Sequence, residues 1–191
     1  MSRRASDDSG FSLIELLIYM VLSIVVLTMI ASILINSLRA EGIVRESSQA
    51  TSTAQLAAQS LNRGVHNASA IEVTTPASGI TLLRTRSIDS ADTGTWRCEA
   101  WAVVDGEIRT TTSSAAIAPP TDPSMTATWL LLAEGAAPIG STPYFSLGAD
   151  DRSLAVALTI GDASGVPVTI DTTIVSKQPI PATGKVTAPC F

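Results

Sequence analysis

The chain has 191 residues, 46% of them hydrophobic, with 12 Lys and Arg against 17 Asp and Glu and a formal net charge of −5. Phosphate binding needs clustered Lys and Arg, so this acidic balance argues against direct contact with nucleic acid. His66, Cys98 and Cys190 are the only His and Cys residues. One chain therefore cannot supply the four Cys or His ligands of a structural zinc site, and neither a metal nor a cofactor is expected.

Charged residues make up 15% and aromatic residues 4%, while mean hydropathy is +0.33. The apolar residues must be concentrated somewhere, and they are concentrated at the start. Met1–Gly10 is polar. From Phe11 to Ile35 the only charge is Glu15, and no Gly or Pro intervenes. A helix of that length is roughly 37 Å long, enough for a hydrocarbon core of about 30 Å. A buried core helix seldom runs this long without a polar face. A secretory signal would be shorter and would end at a small-x-small cleavage site, which is missing here. Arg3 and Arg4 favour a cytoplasmic leader, and Asp7 and Asp8 weigh little in orientation. The remainder of the chain is then expected outside the cytoplasmic membrane.

A carboxylate inside a bilayer is costly and calls for a partner. Glu15 has no cation between Phe11 and Ile35. Cleavage after Gly10 would create one, the new amino terminus of Phe11, one helical turn away. The same amine could instead meet Glu15 of a neighbouring molecule. Glu15 also complements the positive end of the helix dipole.

The stretch Gly10-Phe11-Ser12-Leu13-Ile14-Glu15-Leu16-Leu17 resembles the prepilin signal of type IV pilins and type II secretion pseudopilins. It has their short polar leader, Gly before the cut, Phe after it, Glu five residues into the mature chain and an immediate apolar helix. The resemblance covers about the first 35 residues. It implies that a prepilin peptidase cuts between Gly10 and Phe11 and methylates the Phe11 amine, and that Glu15 registers subunits in a filament. Many major pilins have a helix-breaking Gly or Pro in the second half of this segment. Here the first is Gly42, so local melting of the helix is not expected. Retention of Glu15 argues against the filament-tip pseudopilin, which usually lacks it.

Ser12, Glu15, Tyr19 and Ser23 share one helical face, and Thr28 and Ser32 fall nearly opposite. Polar stripes suit helix–helix packing, although isolated Ser and Thr are also cheap in membrane helices. Beyond the span, Glu41 and Arg45 form an i,i+4 pair in the favourable order. Ala50, Ala54, Ala57, Leu61 and Val65 recur at helical spacing as an apolar stripe. Gly42 weakens a helix by about 1 kcal/mol without stopping it. Arg63-Gly64 and Asn67 are stop signals. One helix over about 12–64 is predicted, its second half packed on a globular part.

After Asn67 the composition turns to strands and loops. Strands are expected at Ile80–Leu83, Thr95–Val104, Glu107–Thr112, Thr128–Leu132, Leu154–Ile160 and Val166–Val175. Asp105-Gly106 is a two-residue hairpin signal, Gly161–Gly165 a five-residue loop, and Ala118–Ser124 a proline-rich loop. In the second strand Trp96, Cys98, Ala100, Ala102 and Val104 alternate with Arg97, Glu99, Trp101 and Val103. Trp96 is expected in the core, with Trp101 either at an interface or under a loop.

Cys98 and Cys190 lie on the oxidising side of the expected topology. A bridge between them would close roughly 90 residues and contribute about 4–5 kcal/mol by chain entropy. Many pilins carry a disulfide near the carboxyl terminus, so the resemblance makes the pair relevant. The alternative is two buried free thiols. His66 sits where a helix should end and has no Gly-x-Ser-x-Gly partner. It reads as a capping or surface residue. Asp150-Asp151 and Asp162-Ala163-Ser164-Gly165 lack EF-hand spacing and read as solvated turns. Asn67-Ala68-Ser69 matches a glycosylation sequon, a chance match if the source is bacterial.

The expected fold class is α+β, a long amino-terminal transmembrane helix continuing into a helix packed on an antiparallel β-sheet domain, pilin-like. The expected organisation is a cytoplasmic leader (1–10), a transmembrane assembly helix (11–35), an extracytoplasmic helix extension (36–67) and a β-rich globular domain (68–191). The expected function is structural rather than enzymatic: a minor pilin or pseudopilin of a type IV pilus or type II secretion-like filament. Its location would be single-pass in the cytoplasmic membrane, then in a cell-surface or periplasmic filament after assembly. By resemblance its partners are the prepilin peptidase, other pilin or pseudopilin subunits, an assembly platform in the cytoplasmic membrane, and membrane lipid. The alternatives are a membrane-tethered adhesin or ligand-binding module, favoured by a deep aromatic-lined cleft, and an extracytoplasmic hydrolase, which would need a buried acid–base pair.

Overall fold

The apolar run and the alanine-rich stripe belong to one continuous helix, α1, Leu13–His66, in a computed structural model of the chain. The structure describes residues 12–75, 79–88, 95–161, 167–179 and 186–191. Gly10 and Phe11, the start of the strand expected at Val166, and the Asp162–Gly165 turn lie outside them. By internal contacts the chain divides into two compact units, Met1–Arg45 and Glu46–Phe191.

In the first unit every described residue is exposed except Glu15. The most apolar 18-residue stretch of α1 has a mean hydropathy of 2.7 and none of it is buried. Glu41 and Arg45 form the expected pair at 3.3 Å, fully solvated and therefore worth only about 0.3–0.5 kcal/mol.

In the second unit Ala54, Ala57, Leu61 and Val65 are all buried, so the stripe faces the core as its spacing requires. The helix runs two residues past Gly64, because Gly64 is there to be packed against rather than to end the helix.

Among the described residues nine strands follow. β1 (Ala70–Thr74), β2 (Thr81–Ile88), β3 (Trp96–Val104), β4 (Glu107–Ser113) and β5 (Leu130–Ala133) form an antiparallel meander in chain order. The β3–β4 connection is the predicted Asp105-Gly106 turn. Both residues have positive φ, 50° and 77°, as a two-residue turn matched to strand twist demands. A second antiparallel sheet is centred on β8 (Ser153–Ile160). β6 (Ala136–Pro138) and β7 (Phe145–Leu147) pair with β8 end to end along one edge. β9 (Val168–Val175) pairs with β8 over its whole length on the other. The proline-rich loop holds a 3₁₀ turn, Pro123–Thr126, capped by Asp122, whose side chain accepts from Ser124 N.

The main core joins the helical stripe to Leu83, Trp101, Val103 and Ile108 of the first sheet and to Leu154, Val156, Leu158 and Ile160 of the second. A smaller core lies on the opposite face of the first sheet. There Leu82, Cys98, Ala100 and Ala102 meet Ile117 and Cys190, with Trp129 and Phe191 against them. The meander is thus covered on both faces, by α1 on one and by the carboxyl tail on the other. The second half of β3, Ala100–Val104, is continuously apolar for that reason.

This reverses the expectation for the two tryptophans. Trp101 is 2% exposed under α1, and its indole Nε1 donates to Ser60 Oγ at 3.0 Å. Trp96 is half-buried on the tail side, with the Arg86 guanidinium 3.9 Å from its ring centroid. Trp101 lies across one helical turn, bonded at Ser60 and pressed on Gly64. A Cβ on Gly64 would fall 2.0 Å from Trp101 Cη2. Helix propensity alone favours Gly64→Ala by about 1 kcal/mol. Overpacking a rigid ring costs about 1–3 kcal/mol. The variant is therefore expected to lose up to about 2 kcal/mol net in urea unfolding, and a gain would show that the ring yields freely.

Candidate functional site

Sequence singled out two places, the start of α1 and the cysteine pair. At the start of α1, the Ser12 carbonyl accepts from the backbone N of Glu15 and Leu16 at 3.0 and 3.2 Å. Glu15 is the acidic residue of the first turn, where the helix dipole favours a carboxylate. Tyr19 Oη donates to Glu15 Oε1 at 3.2 Å. Side chains on a helix lean toward its amino terminus, so Tyr19 lies back over Glu15. Glu15 is accordingly half-covered while its described neighbours are exposed.

The two polar stripes of the span now separate. Thr28 Oγ1 donates to Val25 O and Ser32 Oγ to Met29 O, both at 2.8 Å. Those hydroxyls are satisfied within their own helix and need no partner, which supports the reading of this stripe as cheap Ser and Thr. Glu15 is different. A carboxylate offers about four acceptor sites, and the phenol uses one.

In the second unit Cys98 and Cys190 are joined by a disulfide, 92 residues apart in sequence, with Cα atoms 5.2 Å apart. The tail is held by more than the bridge. Ile117 N donates to Cys190 O at 3.2 Å. Arg86 Nη1 donates to Ala188 O at 2.7 Å, and Arg86 Nε to Ser69 Oγ at 3.0 Å. Arg84, also buried, donates to Ile117 O at 2.7 Å, pairs with Glu72 across β1–β2 and sits 5.1 Å from the Phe191 ring centroid. Each arginine thus stays hydrogen-bonded where burial would otherwise be costly. The sequence reading did not single out either one. The available signal was two arginines at i,i+2 in an apolar strand, Arg84 and Arg86, which places both on one sheet face.

Further candidates have structural partners through backbone or side chain. The His66 carbonyl accepts from Lys177 N at 3.0 Å, while its buried Nδ1 has no hydrogen-bond partner among the described residues. The Asp150 carboxylate accepts from Ser153 Oγ and from the backbone N of Arg152 and Ser153 at 2.7–3.0 Å. Those bonds, the Ser153 hydroxyl foremost, pull its pKa down to about 2. It closes a turn, as expected. Ser69 of the sequon is engaged by Arg86, donating to its carbonyl at 3.0 Å. A groove of about 430 Å³ beside α1 is lined by residues including Glu46, Ala50, Thr53, Leu131, Glu134 and Gly161. None of its lining residues is aromatic, so it is not the cleft that a tethered receptor would favour.

Residues 6–31 match the family model described as the prokaryotic N-terminal methylation motif. No curated protein and no solved structure matches the chain. This motif at the amino terminus supports a type IV pilin- or pseudopilin-like protein, and a long apolar helix followed by antiparallel sheets is pilin-like architecture.

Proposed function

We propose that the chain is a structural subunit, a minor pilin or pseudopilin, of a type IV pilus or type II secretion-like filament. One observation carries this reading. A methylation motif opens into an apolar helix whose most apolar stretch is wholly unburied among the described residues. Lipid can cover such a helix before assembly, and a bundle of like helices can cover it afterwards. The prepilin peptidase cuts between Gly10 and Phe11 and methylates the new amine. Glu15 then pairs with that amine, on its own chain or on a neighbour. The globular unit stays outside the membrane, and heterologous contacts between subunits propagate a filament.

Mass spectrometry of the mature amino terminus tests the reading, with a methylated Phe11 as the expected first residue. Gly10→Asp should leave the leader attached, because a bulky anion replaces the smallest residue at a protease subsite. Normal cleavage with Asp at position 10 would move the cut elsewhere. An uncut wild-type chain would favour a tethered module instead.

A further inference from the structure

We propose that Tyr19 is the positioning residue of the assembly carboxylate: its phenol holds Glu15 in one rotamer and occupies one oxygen, leaving the other for the incoming amine. This rests on the reading of Glu15 as the assembly residue.

Three observations converge on it. Tyr19 Oη donates to Glu15 Oε1 at 3.2 Å. Glu15 alone among the described residues of the first unit is not exposed. The other hydrogen-bonded hydroxyls of the span, Thr28 and Ser32, turn back to their own backbone, whereas Tyr19 reaches another side chain.

The order along the helix gives the pair its sense. Glu15 leans toward the amino terminus, where the amine of Phe11 lies one turn earlier in sequence. Tyr19 leans onto Glu15 from one turn later. Carboxylate and phenol therefore succeed each other along one face, and Phe11 precedes Glu15 by four residues in sequence. The observed bond is long for O–H···O⁻, whose usual range ends near 3.0 Å. It strengthens in a bilayer or helical bundle, where the local dielectric is low and water does not compete. A glutamate free among its rotamers would lose that freedom only on docking. One already held by a phenol has lost it beforehand.

Two measurements test the proposal. The first needs no filament. Tyr19 and Tyr144 are the only tyrosines, so Tyr144→Phe leaves one reporter in the full chain in vesicles. The tyrosine Fermi doublet in ultraviolet resonance Raman should report a phenol donating to a carboxylate. Glu15→Ala should remove that signature, and an unchanged doublet would overturn the hydrogen bond.

The second is a double-mutant cycle on the ratio of filament-associated to membrane-retained protein. Tyr19→Phe should lower the ratio about threefold to tenfold, the net worth of one ordinary hydrogen bond, since this one is long. The same change should have no effect in a Glu15→Ala background, which has no acceptor for the phenol. An equal loss in both backgrounds would make Tyr19 a packing residue and end the proposal. If Glu15→Gln lowers the ratio and Tyr19→Phe does not, the proposal fails while the reading of Glu15 stands. If Glu15→Gln changes nothing, the assembly reading fails and the proposal with it.

Discussion

Cys190→Ser is expected to destabilise the globular unit by about 4–5 kcal/mol, the largest stability change of any single substitution considered. The bridge joins residues 92 apart, so in the unfolded chain it removes the entropy of a long closed loop. The native state loses little else, because Arg86, Arg84 and Ile117 still hold the tail. The three tryptophans all lie in this unit, and their fluorescence reports its unfolding in the full chain in detergent. Urea midpoints should fall equally for Cys98→Ser, Cys190→Ser and the double variant, and reductant should bring wild type to the same value. Thiol labelling without reductant should find neither cysteine in wild type. Coincident midpoints for wild type and variants would mean that the bridge constrains nothing. Labelling of both thiols under oxidising conditions would remove it altogether.

Glu15→Gln is expected to leave insertion and cleavage intact and to lower filament incorporation by about tenfold or more. Under the proposed function the peptidase reads mainly the Gly10-Phe11 step and the apolar character of the helix, and Glu15→Gln preserves both. Insertion should be no worse, since a charge inside the membrane is costly. Assembly should suffer because the methylated ammonium of Phe11 enters an apolar bundle without its counter-charge. Removing one partner of a buried ion pair costs about 3–5 kcal/mol, and solvent near the helix end reduces that figure. The amide keeps the shape of the side chain and still accepts from Tyr19, so the variant isolates the charge. Equal ratios of filament-associated to membrane-retained protein for Glu15→Gln and wild type would make Glu15 a bystander near the membrane surface.

The anchor, its motif and the stripe on α1 were legible from residues alone because each is local. An unbroken apolar run, a carboxylate five residues past a Gly-Phe step and alanines at helical spacing need no knowledge of distant chain. The Asp105-Gly106 turn was legible for the same reason, since positive φ at two successive positions selects those residues. Most of the longer strands were also found. β1, β6 and β7 were not, because such short strands carry few alternations and, unlike the equally short β5, lie in no continuous run of large apolar residues.

Tertiary structure decided the rest. β3 is apolar on both faces, so a period of two cannot say which face meets the helix, and the expectation for Trp96 and Trp101 came out reversed. Gly64 looks the same in sequence whether it ends a helix or receives a ring. Only the position of Trp101 distinguishes the two. Cys98 and Cys190 could be read as a bridge or as two thiols until the tail was seen to fold back over the first sheet. Arg84 and Arg86 could be read as surface charge until the tail covered them. These outcomes share one cause. Helix periodicity and turn chemistry are written in neighbours along the chain, whereas the covering of a sheet face depends on residues about 100 positions away.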